Sequence, residues 1–328
     1  MSGFRYWYAE QRGTLLAALL FLVMFAIYVA NHPAGLSINV VETAANKGAL
    51  LAFVAIAQTF VVLTAGIDLS VGMIFILANC IASIVLVGSA GQTTLGVVAV
   101  LLVGAACGAL NAVIVIFGRL QPIIATIATG SAFFGLALWV RPYPDADPNF
   151  NSDFADSMTG KLFGVIPTSL ILLLGLILFV WLPVRRSVTG RAILAIGSSQ
   201  SAAYMSGVPI NRAKFAAYVM SGLFAAIAGL FLTCLTYSGE ASIANGNTYT
   251  LYSIAAVVLG GVSLFGGRGS AVGAVFGALA FRTIGDLLFV FDIDPLWQPL
   301  FQGTILLVAV ALGSARVFQV RNRLDLFR

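Results

Sequence analysis

Long runs of apolar residues, separated by short polar or glycine-containing stretches, cover most of this sequence. Ten runs are long enough to predict a membrane-spanning helix, because a hydrocarbon core of about 30 Å requires about 20 apolar residues. Their residues do not alternate between apolar and polar, as those of a barrel strand would. The pattern therefore predicts an all-α, polytopic membrane protein with about ten transmembrane helices. The runs are 14–31, 47–65, 69–88, 94–117, 122–140, 166–183, 215–237, 250–266, 269–290 and 297–315.

The composition agrees with a chain that folds in lipid. Apolar residues make up 60% of the 328 residues and charged residues only 9%, whereas a soluble domain has about 25% charged residues. We expect residues 1–328 to form a single transmembrane domain. We also expect the first span to be retained, because its apolar run is longer than the 7–15 residues, roughly, of a cleaved signal.

The distribution of basic residues predicts the orientation of the bundle. Cytoplasmic loops are enriched in Lys and Arg, and ten spans place both termini on one side. With both termini cytoplasmic, the cytoplasmic segments contain 13 of the 17 basic residues, the outside contains Lys47, Arg141 and Lys161, and Arg282 lies within a span. The net charge of +5 follows from this topology and indicates no nucleic-acid partner.

Two long loops follow from the same topology. A basic cytoplasmic loop covers about 184–214, and an acidic extracytoplasmic loop covers about 141–165.

The sequence lacks the motifs of a nucleotide-dependent enzyme. A phosphate-binding loop GxxxxGK[ST] needs glycine before its lysine and Ser or Thr after it, and neither Lys47, Lys161 nor Lys214 has both neighbours. His32 is the only histidine, and the three cysteines lie in apolar runs, which argues against a metal centre or a catalytic triad. We expect no catalytic residue, metal or cofactor in this chain. Energy for pumping must then come from an ion gradient or a partner subunit.

The basic cytoplasmic loop contains a predicted short helix. Ser198 or Ser199 can cap a helix that continues to about Met205, Gly207 can supply the left-handed residue after it, and Pro209 prevents continuation. Small, mildly polar residues suit insertion into a groove on another protein. The alternative is a helix lying on lipid headgroups, for which the apolar face is weak. The candidate docking residues are Gly197, Ser198, Ser199, Gln200, Ala202, Ala203, Tyr204, Ser206 and Gly207.

The stretch LTAGIDLSVGM, residues 63–73, places a carboxylate between two apolar runs. Asp68 is expected at the cytoplasmic junction of the second and third spans, where it can accept hydrogen bonds from the backbone N–H groups of Ser70 and Val71. A structural helix cap is the favoured interpretation. The alternative is contact with substrate or with the coupling machinery, since charges at membrane depth are often functional. The motif residues are Gly66, Asp68, Ser70 and Gly72.

Arg282 and Asp286 form a second charged pattern, four residues apart in the ninth span. Side chains at this spacing share one helix face, and an unpaired charge at bilayer depth costs about 2.5–3.5 kcal/mol on insertion scales. We expect the two residues to pair with each other. The alternative is an ion or proton relay in a secondary transporter.

Three stretches together resemble the membrane permease subunits of bacterial ABC importers for monosaccharides such as ribose, xylose, arabinose and galactose. They occur in that family's order and spacing, and the similarity extends over most of the chain. One departure is that Ser198, Ser199, Gln200 and Ser201 stand where relatives commonly carry an acidic stretch. The stretches are LTAGIDLSVGM (63–73), GRAILAIGSSQSAAYMSGVPINRAKFAAYVMSGLFAAIAGL (190–230) and IAAVVLGGVSLFGGRGS (254–270).

The resemblance implies a permease of the bacterial cytoplasmic (inner) membrane that moves a pentose, hexose or related polyol from periplasm to cytoplasm by alternating access. It implies an ATP-binding ABC subunit that binds ATP and Mg, a periplasmic sugar-binding protein, and a second permease copy or paralogue. The residues alone leave two alternatives, an ion-coupled secondary transporter of a small polar solute and, more weakly, a membrane-embedded enzyme.

The path of a neutral polyol should be lined by uncharged hydrogen-bonding groups and aromatic rings. Each such residue is also a candidate for an interhelical hydrogen bond. On the outside, Glu240, Asn245, Asn247 and the segment 141–160 are candidates for meeting the binding protein. The path candidates are Gln58, Thr64, Asn79, Asn111, Thr126, Thr129, Ser131, Phe133, Phe134, Ser221, Thr233 and Ser253.

Overall fold

A computed structural model describes residues 3–305, 307, 308 and 311, with side chains from Gln11 onward except at Pro295. Most of this part of the chain is helical. The helices are α1 (Gly3–Asn31), α2 (Ile38–Val62), α3 (Val71–Val85), α4 (Ala90–Ile116), α5 (Pro122–Val140), α6 (Ser152–Thr159), α7 (Thr168–Leu176), α8 (Leu182–Arg186), α9 (Val188–Ser198), α10 (Gln200–Met205), α11 (Ile210–Thr236), α12 (Ile243–Leu259) and α13 (Ala271–Val290).

Three short elements complete the described chain. A π-helical turn at Ile177–Trp181 joins α7 to α8, so that the two form one long helix. A two-stranded antiparallel hairpin, β1 (Lys161–Leu162) and β2 (Ile166–Pro167), precedes α7 and pairs Leu162 with Ile166. A 3-10 turn at Pro295–Trp297 is followed by helical residues at 298–305.

Seven of these helices are long and apolar enough to cross a membrane. They are α1 from Gln11, α2, α4, α5, the α7–α8 helix, α11 and α13. Helices α3 and α12 occupy two further predicted spans but have only 15 and 17 residues. Part of the tenth predicted span, 297–315, lies outside the described residues. The chain is a polytopic, all-α membrane protein, and the number of about ten spans stays a prediction.

The predicted span 250–266 is displaced from the helix that the structure contains. Helix α12 begins after Ser242, whose hydroxyl accepts a hydrogen bond from the backbone N–H of Asn245 (3.3 Å). It ends at Leu259, and Gly261 then adopts a left-handed φ of 76°. The apolar residues from Val262 to Phe265 belong to a loop. Hydrophobicity alone extended the predicted span past the glycines that end the helix.

Helix α2 lies at the centre of the bundle. Its residues Ala49–Ala57 are at most 4% exposed, and this helix packs against α11, α12 and α13. Phe53 and Phe60 form ring contacts with Phe231 and Phe224 of α11. A helix that is apolar on all sides belongs in the interior of a bundle. By contrast, only 11% of the apolar stretch of α1 is buried, so most of α1 faces outward.

Helices α4 and α11 pack through glycine. A Cβ built on Gly108 would lie 2.2 Å from the carbonyl oxygen of Tyr218, and one on Gly222 would lie 2.1 Å from that of Gly104. Small residues four positions apart, Gly104 and Gly108 in α4 and Gly222 and Ala226 in α11, predict such close backbone contact in lipid, and the structure confirms it. This contact fixes how α11 crosses α4 beside the site described below.

The loops gather at two ends of the bundle. One end, the α10 end, contains the loop 63–70, helices α8–α10 and the loop 260–270. The opposite end contains the 141–167 segment, which pairs with neighbouring loops through isolated bridges Val87–Phe150 and Asp145–Gly239. At this opposite end Lys47, Arg141 and Lys161 each form an ion pair with a carboxylate, at 3.2, 2.6 and 2.9 Å.

Replacing Gly108 by alanine is expected to destabilise the protein by about 1–3 kcal/mol, because the new methyl group overlaps the Tyr218 carbonyl. The matched control is Gly135→Ala in α5, where a Cβ meets nothing within 4 Å. That variant should equal or slightly exceed wild type in stability. Thermal unfolding in detergent measures both, and equal melting temperatures for the two variants would contradict the close packing of α4 on α11.

Candidate functional site

The three motif stretches meet at the α10 end. The backbone N–H of Gly267 donates to the carbonyl oxygen of Leu63 (3.1 Å). The end of α9 packs on this hydrogen bond, since a Cβ on Gly197 would lie 2.0 Å from the Leu63 oxygen and 2.3 Å from the Gly267 nitrogen. We call Leu63, Ala65, Gly197, Gly266 and Gly267 the glycine junction. It joins three parts of the chain whose junction residues are more than 60 positions apart in sequence.

Backbone strain marks the same place. Ala65 has a left-handed φ of 62°, a conformation that costs a residue with a Cβ about 1–2 kcal/mol. A Cβ on Gly266 would lie 2.7 Å from the Ala65 nitrogen, so these two loops touch without a side chain between them. The surrounding contacts hold Ala65 in a conformation that it would not adopt alone.

The predicted short helix of the cytoplasmic loop is present as α10. The hydroxyl of Ser199 caps it by accepting from the Ala202 N–H (3.3 Å), and Gly207 follows it with a left-handed φ of 74°. Tyr204 and Met205 are 75% and 84% exposed, whereas Ala203 is buried. Helix α10 therefore presents a small exposed face with two large side chains. Its role in docking stays a prediction.

The loop also contains a second helix, α9, which the sequence did not predict. Ser187 caps it by accepting from the Gly190 N–H (3.1 Å), and Ala192, Ile193 and Ile196 are buried. Helix α9 packs against α11 and connects α10 to the glycine junction. Gln200, at the start of α10, accepts a hydrogen bond from Lys214 of α11 (2.8 Å).

Asp68 lies just beyond the junction and is completely buried. Its Oδ1 accepts from the backbone N–H of Ser70 (2.9 Å) and from the Ser70 hydroxyl (2.6 Å), and its Oδ2 accepts from the Ser221 hydroxyl of α11 (3.1 Å). The expected bond from Ser70 N–H is confirmed. In place of the second expected bond, from Val71, the carboxylate accepts hydrogen bonds from the hydroxyls of Ser70 and of Ser221 in α11.

Hydrogen bonds extend from Asp68 to three more helices. The Asn111 amide of α4 donates to the Ser70 hydroxyl (2.7 Å) and accepts from the Thr129 hydroxyl of α5 (2.6 Å). The Gln58 amide of α2, oriented as its neighbours require, donates to the Asp68 carbonyl (2.9 Å) and accepts from the Asp68 N–H (3.3 Å). The Asp68 network thus joins α2, α3, α4, α5 and α11.

The electrostatics of Asp68 are set by burial. Burial raises the pKa of this carboxyl, which lies outside the candidate spans, and the hydrogen bonds from Ser70 and Ser221 oppose that rise. A buried carboxyl group is stable only with such partners. The buried hydroxyl of Tyr218 has no hydrogen-bond partner among the described residues. It lies beside Gly66, where a built Cβ would be 3.4 Å from it. Sequence reasoning missed Tyr218. The one feature that could have pointed to it is its single hydroxyl among mostly small apolar residues of α11.

The other motif residue, Gly72, is the contact point of α3 with α12. Its N–H donates to the Thr250 hydroxyl (3.1 Å), and a Cβ there would lie 1.9 Å from the Gly246 oxygen. Helix α12 therefore contacts the first turn of α3, four residues after Asp68.

The candidate path residues are mostly engaged in internal hydrogen bonds. Gln58, Asn111 and Thr129 belong to the Asp68 network, and the Thr64 hydroxyl donates to the Val61 oxygen (2.8 Å). Asn79 lies nearer the opposite end, where it bonds the Thr233 hydroxyl (2.9 Å) and the Ser238 oxygen. Phe134 is half-buried against the core. Their role in a solute path stays a prediction.

The expected pairing of Arg282 with Asp286 is wrong. Asp286 instead forms an ion pair with Lys47 of α2 (Oδ1 to Nζ, 3.2 Å). A contact between two helices outcompetes the i, i+4 pair because α2 and α13 pack side by side. Sequence spacing along one helix cannot reveal that partner.

Replacing Asp68 by alanine should lower stability by about 1–3 kcal/mol, because buried Ser70 and Ser221 donors lose their acceptor. Asp68→Asn keeps one acceptor oxygen and should lose less. The control is Asp153→Ala, an exposed residue in the first turn of α6. In thermal unfolding in detergent, Asp68→Ala should have the lowest melting temperature, Asp68→Asn a higher one and Asp153→Ala the highest. An Asp68→Ala melting temperature equal to that of the control would show that the network does not stabilise the fold.

Known permease components are similar to this chain in sequence. A family model described as the permease component of the branched-chain amino acid transport system matches residues 40–310. The ribose import permease protein of Bacillus subtilis (strain 168) is 33% identical over 300 residues, 90% of this chain and 91% of the relative. No solved structure gives a significant match.

Two further relatives are similar at the same level. The fructose import permease protein of Rhizobium meliloti is 35% identical over 277 residues, 81% of this chain and 75% of that protein. A probable ABC transporter permease protein of Sinorhizobium fredii (strain NBRC 101917 / NGR234) is 35% identical over 271 residues, which cover 81% of this chain and 78% of that protein. The resemblance inferred from the three motif stretches is confirmed. The family model matches residues 40–310, which is most of the chain. This chain therefore belongs to that family, the permease components of the branched-chain amino acid transport system type.

Proposed function

We propose that this chain is the transmembrane permease subunit of an ATP-driven ABC importer and that it moves a monosaccharide from periplasm to cytoplasm. The observation that carries the proposal is the glycine junction, which connects the exposed helix α10 to the buried Asp68 network. A permease without an ATP-binding motif needs a surface on which a separate motor acts, and α10 is a short, exposed helix suited to that contact.

The substrate class rests on the relatives. Two of those named above are a ribose and a fructose import permease, and another relative is a D-allose transport system permease protein. The family model is described for branched-chain amino acids, but the relatives whose names state a substrate, and which match 81–90% of this chain, are ribose, fructose and D-allose permeases. No relative among these favours the ion-coupled alternative. A neutral sugar also agrees with a core whose polar groups are mainly amides and hydroxyls.

The orientation places the α10 end in the cytoplasm. Six basic residues lie in α8, α9, the first turns of α11 and the loop before α13, as the cytoplasmic bias of Lys and Arg requires. Ten spans and cytoplasmic termini complete this topology, in the bacterial inner membrane. The six residues are Arg185, Arg186, Arg191, Arg212, Lys214 and Arg268.

Partners follow from the two ends. The ATP-binding subunit would contact α10, and the periplasmic binding protein would contact the opposite end, where the segment 141–167 and Glu240 lie. There Arg141 holds the segment in place by bonding Asp145 and the Ser83 hydroxyl (3.2 Å). A second permease copy or paralogue would complete the transporter.

The mechanism is alternating access driven through α10. Movement of the partner on ATP binding displaces α10, and α9 carries that displacement to the glycine junction. Since Leu63 and Gly267 are directly hydrogen-bonded and Gly197 leaves no gap, the loops before α3 and before α13 must move with α9. The Asp68 network then passes the shift to α2, α4, α5 and α11. Packed interfaces of this kind switch between discrete arrangements.

The source of energy is tested in proteoliposomes that contain the chain, its ATP-binding partner and the binding protein. Uptake of radiolabelled ribose, fructose or allose should require ATP on the side of the membrane to which the α10 end faces. It should not respond to sodium or proton gradients. Sugar accumulation by the chain alone under an ion gradient would overturn the proposal.

Removing the exposed side chains of α10 should weaken the partner contact without unfolding the chain. Tyr204→Ala with Met205→Ala removes two large exposed side chains and should reduce co-purification of the ATP-binding subunit by about tenfold or more, as for loss of interface anchors. The control is Val188→Ala, an exposed apolar residue at the same end but outside α10. Unchanged co-purification of the double variant, at an unchanged melting temperature, would place the motor elsewhere.

A further inference from the structure

A cavity of about 500 Å³ opens at the end of the bundle opposite to α10, between α1, α2 and α13. It is separate from the glycine junction and the Asp68 network. One part of its lining carries charge and hydrogen-bonding groups, among them Lys47, Arg282 and Asp286. The other part is apolar and includes Tyr28, Leu288, Phe289 and Ile293.

Arg282 is the unusual member of this lining. Its guanidinium makes no hydrogen bond or ion pair with any described residue, and its Nε is buried without a partner. Asp286, one turn away, is bound to Lys47. No oxygen of Asp292 or Asp294, which follow α13, lies within 4.0 Å of a described basic group. A partly buried guanidinium in a spanning helix is expected to have an acceptor.

Charge in the cavity favours an anion. Lys47 and Arg282 contribute two positive charges and Asp286 one negative charge, and the Lys47 side chain is still 42% exposed. The 25-residue helix α2 begins at the cavity wall, with Ser37 and Asn39 in the lining, so its positive end adds to the same field. The side chains of Ser37, Asn39, Thr43 and Gln298 supply further uncharged polar groups.

We propose that this cavity binds a phosphate group, held by the Arg282 guanidinium and the Lys47 ammonium. A guanidinium fork binds two phosphate oxygens at once, and an ammonium adds a point charge. The phosphate is that of a phospholipid headgroup or a free anion. The apolar part of the lining favours the lipid, because the neighbouring α1 exposes Leu19, Leu22 and Ile27 on the outside of the bundle and an acyl chain can lie along them.

The proposal is tested on the full chain, purified in detergent and stripped of lipid. Dihexanoylphosphatidylglycerol, inorganic phosphate and dihexanoylglycerol are added separately, and thermal unfolding is followed. Phosphatidylglycerol should raise the melting temperature and dihexanoylglycerol, which lacks phosphate, should not. An equal rise with inorganic phosphate identifies a free anion as the ligand. No rise with either phosphate probe overturns the proposal.

Variants tie the effect to this cavity. Arg282→Gln should weaken the phosphate-dependent stabilisation by about tenfold in midpoint concentration, the effect of losing a charge-assisted hydrogen-bonded pair. Arg141→Gln is the control, since it removes a cation at the same end that pairs with Asp145 and lies outside the cavity lining. An equal response of both variants contradicts the assignment. If Arg282→Gln does not fold, Arg282→Lys decides, because it keeps the charge and loses the fork; a response identical to wild type overturns the role of the guanidinium.

Discussion

The structure depends on one close contact, the packing of Gly197 against the hydrogen bond between Leu63 and Gly267. Two loops and the end of α9 meet there without an intervening side chain, so none of them can shift without displacing the others. Ala65 is held in a strained left-handed conformation at the same point. A joint made of backbone is stiff, because no side-chain rotamer is available to absorb a movement. The proposed action of the small exposed helix α10 on the bundle requires such stiffness.

The polar core explains why the joint lies next to a carboxylate. Asp68 gathers donors from α3 and α11, and Ser70 and Asn111 extend the chain of hydrogen bonds to α4 and α5. In lipid, helix association cannot rely on the hydrophobic effect, and hydrogen bonds with close glycine packing take its place. The same residues that hold five helices together therefore also give the glycine junction its connection to the bundle.

Sequence analysis predicted what depends on local chemistry. The capped helix α10, its terminal Gly207 and the Asp68 to Ser70 bond each follow from residues within a few positions of one another, and the structure contains all three. It missed what depends on distant neighbours, namely the Lys47 to Asp286 pair and the Ser221 bond to Asp68. The limits of α12 were wrong because apolar loop residues extend the hydrophobic run beyond the glycines that end the helix. Periodicity contains no information about which helices become neighbours.

Whether the glycine junction transmits movement from α10 to the bundle is measured by the coupling ratio, the number of sugar molecules imported per ATP hydrolysed. It is measured in proteoliposomes with the ATP-binding subunit and binding protein, for wild type, for Gly197→Ala and for Gly175→Ala, a helical position in α7 where a Cβ meets nothing within 4 Å. If the glycine junction transmits the movement of α10, Gly197→Ala retains ATP hydrolysis but imports several-fold less sugar per ATP, while Gly175→Ala matches wild type. An unchanged ratio in Gly197→Ala would show that the glycine junction does not transmit this movement.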